Sequence, residues 1–262
     1  MKVAIAIPVF KKNPDSEEVI SLKYLRDNLS KHDKYFVAPK GLRTENYSLK
    51  GAKNYYFPEH YFKSRESYNK LLLQQKFYER FKGYDFILIY QLDALVFSDR
   101  LLYWCKKNYS YVAAPWFNSL IAKLSYAKDS PISGGNGGFS LRSVPKAIEV
   151  LERVNYAAAR STTNRFVQKL WFLKAVISGQ AHQKWLNAPA DNYPFNEDGF
   201  WAIEAPKYSS NYKVAPFRQA INFAFETNPE RCFLINNGRL PFGAHAWRKY
   251  GNRFWRKLLG FD

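Results

Sequence analysis

The 262-residue chain reads as an α/β protein, one Rossmann-like domain with a mostly parallel central sheet. Two observations predict that class. Over roughly the first hundred residues, short apolar β-forming runs alternate with segments of helical periodicity, the pattern of strand–helix–strand units. The run Phe86–Tyr90 is apolar or aromatic throughout, as a strand buried on both faces must be. A lone carboxylate, Asp93, follows it, at the C-terminal strand end where open α/β sheets bind ligands.

Lys2 to Phe10 reads as the first strand. Met1 to Pro8 is too short an apolar stretch for a signal peptide. Ser16 to Ser30 reads as a helix with Ser16 as N-cap, Glu17 and Glu18 in its first turn, and Val19, Leu22, Leu25 and Leu29 at helical spacing. Residues 35–38 and 54–57 read as further strands, and Ser64 to Phe81 as one continuous helix ended by Gly83. Beyond the opening strand, Tyr111–Trp116 and Gly138–Leu141 are expected strands. Ser143–Val154 is an expected helix with Pro145 in its first turn. Residues 160–188 are helical or irregular, and the remainder is loops and short strands before a basic helix from Trp247 to Leu259. The expected division is a domain over 1–246 and an amphipathic basic helix over 247–262.

Composition narrows the function classes. Hydrophobic residues make up 47% of the chain, enough for a packed core and against global disorder. No apolar run reaches the roughly 18 residues of a membrane span. Cys105 and Cys232 form no CxxC pair, which argues against structural zinc and fits a reducing cytoplasm. The formal net charge of +18 points to an anionic partner, and with 18% aromatic residues it suits nucleic acid, sugars or membrane interfaces. No helix-turn-helix, RNP or zinc-finger pattern supports the nucleic-acid reading, and no nucleic-acid partner is expected.

Four segments carry candidate chemistry: Gln91-Leu92-Asp93, Gly134–Arg142, Asn196–Trp201 and Pro241–Trp247. The glycine run has neither the GxGxxG spacing after the first strand nor a GK[ST] sequence, so it is no dinucleotide fingerprint or P-loop. Its glycines permit close backbone approach or simply a turn. Glu197-Asp198 lies among Phe195, Phe200 and Trp201, a setting in which an aspartate can act as general base, although a carboxylate pair on a helix is more often a solvated face. His245 is a structural histidine or, with Asp93, part of a mixed nitrogen–oxygen cation site.

In this order the segments resemble GT-A nucleotide-sugar glycosyltransferases. Ser67–Leu72, then Tyr84-Asp85-Phe86 running into Gln91-Leu92-Asp93, resembles the β-1,4-galactosyltransferases, whose strand ends in Asp-x-Asp. Gly137-Gly138-Phe139-Ser140 is similar to their Gly-Gly loop, and Glu197-Asp198 to the x-Glu-Asp motif of inverting enzymes. Over roughly residues 3–250 the chain more closely resembles a bacterial family of glycosyltransferases found with surface-polysaccharide genes. Its signatures are the strand-end Asp, Asn-Gly-Gly-Phe-Ser-Leu-Arg, Asn-Glu-Asp and Pro-Phe-Gly-x-His-Ala-Trp. The resemblance implies a single GT-A domain with an irregular acceptor-side second half. It implies inverting transfer from a nucleoside-diphosphate sugar, UDP-linked, to a glycan or lipid-linked acceptor. A non-catalytic nucleotide-sugar or glycan binding module is the alternative.

Residue by residue, the resemblance implies that Pro8 and Val9 border the nucleotide base and that Tyr68 and Asn69 line its pocket. Asp93 would contact the metal and the diphosphate, with Gln91 beside it, and Gly137 and Gly138 would approach the donor sugar. Asp198 would be the base, Glu197 would orient the acceptor, and His245 would be a metal ligand. Gln91 stands where Asp-x-Asp has its first aspartate. A neutral amide is a weaker ligand for Mn²⁺ or Mg²⁺, so Arg142 is the alternative counter-charge for the leaving diphosphate. The tail, basic and aromatic, either packs on the domain or meets an anionic membrane surface. The expected location is the cytoplasm or the inner face of the inner membrane.

Overall fold

The computed structural model of the protein describes residues 1–116, 135–160 and 189–260. A six-stranded sheet in the order β3-β2-β1-β4-β7-β6 forms the frame. Its strands are β1 (Val3–Pro8), β2 (Asp33–Pro39), β3 (Lys53–Phe57), β4 (Phe86–Tyr90), β6 (Tyr111–Ala113) and β7 (Phe139–Ser143). β3, β2, β1 and β4 are parallel, while β7 runs antiparallel to both β4 and β6. The expected mostly parallel α/β sheet is present, with one reversed strand. β1, β4 and β6 are buried along nearly their whole length, which is why they read as unbroken apolar runs.

The helices depart from the sequence reading in three instructive places. Helix α1 (Ser16–Leu29) is capped by Asp15 rather than Ser16: the Asp15 carboxylate accepts from the Glu17 and Glu18 amides while Glu18 accepts from the Asp15 amide. This is a capping box of the D-x-x-E kind. The long helix expected over 64–81 is two, α2 (Arg65–Leu71) and α3 (Gln75–Glu79). Leu71, Leu72 and Leu73 are all buried. Three consecutive residues point about 100° apart on a helix and cannot share one face, so the chain tightens and turns between them. Helix Val144–Arg160 extends the helix expected over 143–154; residues 161–188, read as helical or irregular, lie outside the described residues.

The second half is more ordered than the sequence suggests. β5 (Leu95–Val96), β8 (Ala224–Phe225) and β9 (Gly243–Ala244) form a second sheet in the order β5-β9-β8. The tail helix spans Asn252–Leu259 rather than 247–259, because Ala246 (φ 48°) and Gly251 (φ 70°) take left-handed backbone and enclose a turn. Trp247 and Trp255 are fully buried, and Arg248 and Arg256 pair with Glu17 of α1. No described helix is long and apolar enough to cross a membrane. Both cysteines are buried and free, and burial pushes their thiols up to about 12.

The α1 cap ties these parts together, since Asp15 also pairs with Lys11 and Arg248. Burial alone would raise the Asp15 carboxyl, but the Glu18 amide and the two cations hold it down to about 2. Its contribution to stability is therefore full above about pH 4 and is lost as pH falls toward 2. Asp15→Ala is expected to cost about 1 kcal/mol in urea unfolding at pH 7, with the difference from wild type shrinking at pH values near 2.

Candidate active site

Strand register brings the candidate residues together. Tyr90 pairs with Phe139 across β4 and β7, so the next pair along is Gln91 opposite Gly138, whose carbonyl accepts from the Gln91 amide at 2.8 Å. In the small sheet Leu95 faces Ala244 and Phe225 faces Ala244 from the other side. One step beyond those pairs stands His245, between Asp93 and Glu226. Its Nε2 lies 3.1 Å from Asp93 Oδ1 and 3.2 Å from Gln91 Oε1; its Nδ1 lies 3.2 Å from Glu226 Oε1. Asn136, at φ 36°, donates its side-chain amide to Glu226 and meets His245 Nδ1. Burial alone would lower the His245 pKa, but Asp93 and Glu226 outweigh it and raise it to about 10. The Asp93 carboxyl, which burial would raise, is held below its usual range by His245.

Asp93 and His245, the expected metal ligands, thus converge, with the Gln91 amide beside them. Adjacent ligands on an octahedral Mg²⁺- or Mn²⁺-sized ion lie about 3 Å apart, close to the spacing found here. Among the described residues no three His, Cys, Asp or Glu side chains are arranged to hold a metal ion. The donor set, one carboxylate, one imidazole and one amide, fits a cation that takes its remaining ligands from substrate phosphates and water. Glu226 on Nδ1 would then fix the imidazole with Nε2 toward the ion.

A second cluster lies across the glycines. Arg142, on β7, is 1% exposed. It reaches both Glu197 oxygens at 2.7 and 2.8 Å and also donates to Tyr78 Oη, Ser140 Oγ and the Gly137 carbonyl. Those contacts use all five of its N–H donors. The expectation that Arg142 neutralises a diphosphate is corrected: its fork is saturated by protein. Glu197, 2% exposed with both oxygens in that fork, likewise holds the wall and is not free to orient an acceptor. The glycines are explained from within as well. A Cβ at Gly137 would collide with Glu197 Oε1, and one at Gly138 with His245 Nε2. Their missing side chains make room for the protein's own carboxylate and imidazole, where a donor sugar was expected.

Asp198 follows Glu197 in a helical turn that continues into the wide π turn Phe200–Glu204. Its Oδ1 accepts from the Gly199 amide at 2.8 Å. Burial, reinforced by the Glu197 and Glu226 carboxylates, raises its pKa to about 7. Asp198 lines a cleft of ≈ 610 Å³ whose other walls include Trp116, Tyr193, Phe195, Asn69 and Lys70. Asn69, on α2, donates to Asn196 at 3.0 Å across that cleft. Tyr68 turns its hydroxyl inward, where burial raises its pKa. Pro8 is half-buried at the end of β1, whereas the Val9 side chain belongs to the core.

Sequence reasoning missed Glu226 and gave Asn136, inside the glycine segment, no role of its own. Glu226 carried a signal like that of Asp93, a lone carboxylate closing an apolar run, here Phe223–Phe225.

Residues 51–245 match the family described as Protein of unknown function (DUF5672). The chain belongs to that family. No curated protein matches it in sequence. Among solved structures, the galactosyltransferase LgtC in complex with donor and acceptor sugar analogues is similar at 12% identity and TM-score 0.54, covering 98% of this chain and 95% of LgtC. Mouse xyloside xylosyltransferase 1, in its apo form, is similar at 11% identity and TM-score 0.50, covering 94% of this chain and 97% of its own. This DUF5672 member therefore has the GT-A fold of glycosyltransferases.

Glu197→Gln should leave the Arg142 charge buried and unmatched, a loss of about 3–5 kcal/mol. Urea unfolding reads it directly, and a loss under about 1 kcal/mol would show that the pair does not carry the site.

Proposed function

We propose that the protein is an inverting glycosyltransferase. It would move a sugar from a nucleoside-diphosphate donor, UDP-linked, to a hydroxyl of a glycan or lipid-linked acceptor in bacterial surface-polysaccharide synthesis. The observation that carries this reading is Asp198: a carboxylate with pKa lifted to about 7, half-buried in an aromatic-walled cleft. A base poised near neutral pH removes a proton from an acceptor hydroxyl efficiently. Trp116, Tyr193 and Phe195 offer the flat apolar faces on which a sugar ring packs, and Asn69 and Asn196 offer amides for its hydroxyls.

In this reading Asp198 takes the proton as the acceptor oxygen attacks the anomeric carbon opposite the leaving diphosphate. Glu197 and Arg142 are positioning residues that hold the Asp198 turn against β7. Asp93, His245 and Gln91 would hold Mn²⁺ or Mg²⁺ at the diphosphate, where the ion supplies charge stabilisation to the leaving group. His245 Nε2 carries a proton when no cation is present, so proton and cation compete for that atom.

Four measurements test the reading. Asp198→Asn is expected to cut transfer by about 10²- to 10⁴-fold with donor affinity nearly unchanged. Wild-type kcat should rise with pH through about 7 as Asp198 loses its proton. NMR of the product should show the anomeric configuration opposite to the donor's; near-normal turnover in the variant, or a retained configuration, would overturn the assignment. Gln91→Asp restores a second anionic ligand and should tighten Mn²⁺ by roughly tenfold or more in a thermal-shift titration with UDP. An unchanged midpoint would argue against a cation at Asp93.

A further inference from the structure

Asn196 occupies a helix-capping position without capping. It precedes the turn Glu197–Gly199 with the extended backbone of an N-cap residue (φ −63°, ψ 146°), yet its side chain makes no cap hydrogen bond. An asparagine in that place ordinarily accepts, through its side-chain oxygen, the amide two or three residues on, here Asp198 or Gly199. Instead Asn196 Oδ1 accepts from Asn69 Nδ2 at 3.0 Å, across the cleft that both residues line. The Gly199 amide, which the cap would use, donates to Asp198 Oδ1 at 2.8 Å and to the Asn196 carbonyl at 3.0 Å.

Two hydrogen bonds thus stand side by side, Asn69 with Asn196 and Gly199 with Asp198, and the cap would exchange one for the other. The turn has little room to shift, because Glu197 is locked in the Arg142 fork. Asn196 is exposed, and only its side chain has to rotate for the cap to form. Asn69 then needs a new partner, and a sugar hydroxyl in the cleft supplies one. The cap draws the Gly199 amide away from Asp198 Oδ1. That oxygen gains a free lone pair for an acceptor hydroxyl, the group whose proton it takes. The hydroxyl replaces the amide as donor, so the carboxylate keeps its number of hydrogen bonds.

We propose that Asn196 is a positioning residue that changes partners when the cleft is occupied: it leaves Asn69, caps the Gly199 amide and releases Asp198 Oδ1 to the acceptor hydroxyl. Its catalytic consequence rests on the reading of Asp198 as base, whereas the exchange itself is measured without turnover. The charged and titratable groups that face Asp198 are Glu197, Glu226 and Arg142, with Tyr111 on β6 and Tyr193 in the turn before it. Glu66 and Lys70, on α2, line the same cleft. A change at Asn69 or Asn196 alters none of these groups.

NMR titration of isotope-labelled aspartate carboxyls in the free protein reads the exchange, with Asp198→Asn assigning the signal. The Gly199 amide holds the Asp198 carboxyl down against its burial, so losing that donor raises it. Asn196→Ser keeps a capping hydroxyl that is one bond short of Asn69, whereas Asn196→Ala caps nothing. Asn69→Ala releases Asn196 by a second route. Asn196→Ser and Asn69→Ala should each raise the Asp198 midpoint by roughly one pH unit over wild type, the effect of one hydrogen bond to a charged group. Asn196→Ala and Asn69→Ala/Asn196→Ala should titrate as wild type does. In transfer assays Asn196→Ala should lower kcat by about tenfold with KM changed less, and Asn196→Ser should restore most of it. Urea unfolding checks that each variant folds, and the two routes to the capped state keep the test decisive if one variant does not. Equal midpoints in wild type, Asn196→Ser and Asn69→Ala would overturn the exchange and leave the base assignment standing. Raised midpoints in both variants, beside normal turnover of Asp198→Asn, would support the exchange and remove the base.

Discussion

The fully buried pair Arg142–Glu197 is the constraint on which the site depends. Removing two charges from water costs several kcal/mol each, and an ion pair offsets that only with good geometry and every remaining donor satisfied. Here the geometry is bidentate and the other donors reach Tyr78, Ser140 and the Gly137 carbonyl. One side chain on β7 thereby joins helix α3, the glycine loop and the turn that carries Asp198. The pair also explains the divergence of two neighbouring carboxylates. Glu197 has a guanidinium, whereas Asp198 has one backbone amide and the fields of Glu197 and Glu226. The same burial that the pair survives pushes Asp198 toward its neutral form. Adjacent acids held in different environments are how one short segment supplies both a structural anchor and a titratable group.

The second centre arises from register rather than from a network of charges. β5, β8 and β9 have two residues each, yet their pairing leaves little choice about which side chains meet past their ends. Asp93 is thrown together with Glu226 and His245 from more than a hundred residues away in the chain. Gly138 links this centre to the first: its carbonyl anchors the Gln91 amide, and its lack of a Cβ admits His245. Any side chain there would part His245 from Gln91.

Legibility followed the physics of each element. The parallel half of the sheet was readable because strands buried on both faces write continuous apolar runs, and β4 was found at its observed bounds, Phe86–Tyr90. The α2–α3 break was hidden because Leu71–Leu73 fits a helical pattern until burial on one side is demanded of all three. The small sheet was hidden because two-residue strands have no period to detect. Asp93, Asp198 and His245 were singled out by residue type and setting, and the structure brings Asp93 and His245 into contact. The saturation of Arg142 was invisible, since a sequence shows a cation but not the acceptors that already surround it. Glu226 was overlooked although it ends an apolar run just as Asp93 does.

Where the charges lie bears on the question that Gln91 raises. The chain carries +18 overall, yet the described residues of its site do not share that excess. Arg142 is neutralised by Glu197. Arg248, whose field reaches Asp93, is held by Asp15 and Glu17. Around His245 stand two carboxylates, Asp93 and Glu226, against one imidazolium, and Asp198 adds a further partial negative charge near neutral pH. Lys70 lines the cleft from an exposed position, where solvent screens it. On the proposed function, a diphosphate brought to these described residues would meet net negative charge, and desolvation would strengthen the repulsion. A divalent cation held by Asp93, His245 and Gln91 would supply the missing positive charge and would displace the His245 Nε2 proton. The amide at position 91 weakens the cation's hold without supplying an alternative counter-charge. In that reading the electrostatics would favour a cation that enters with the nucleotide over one held by the protein alone.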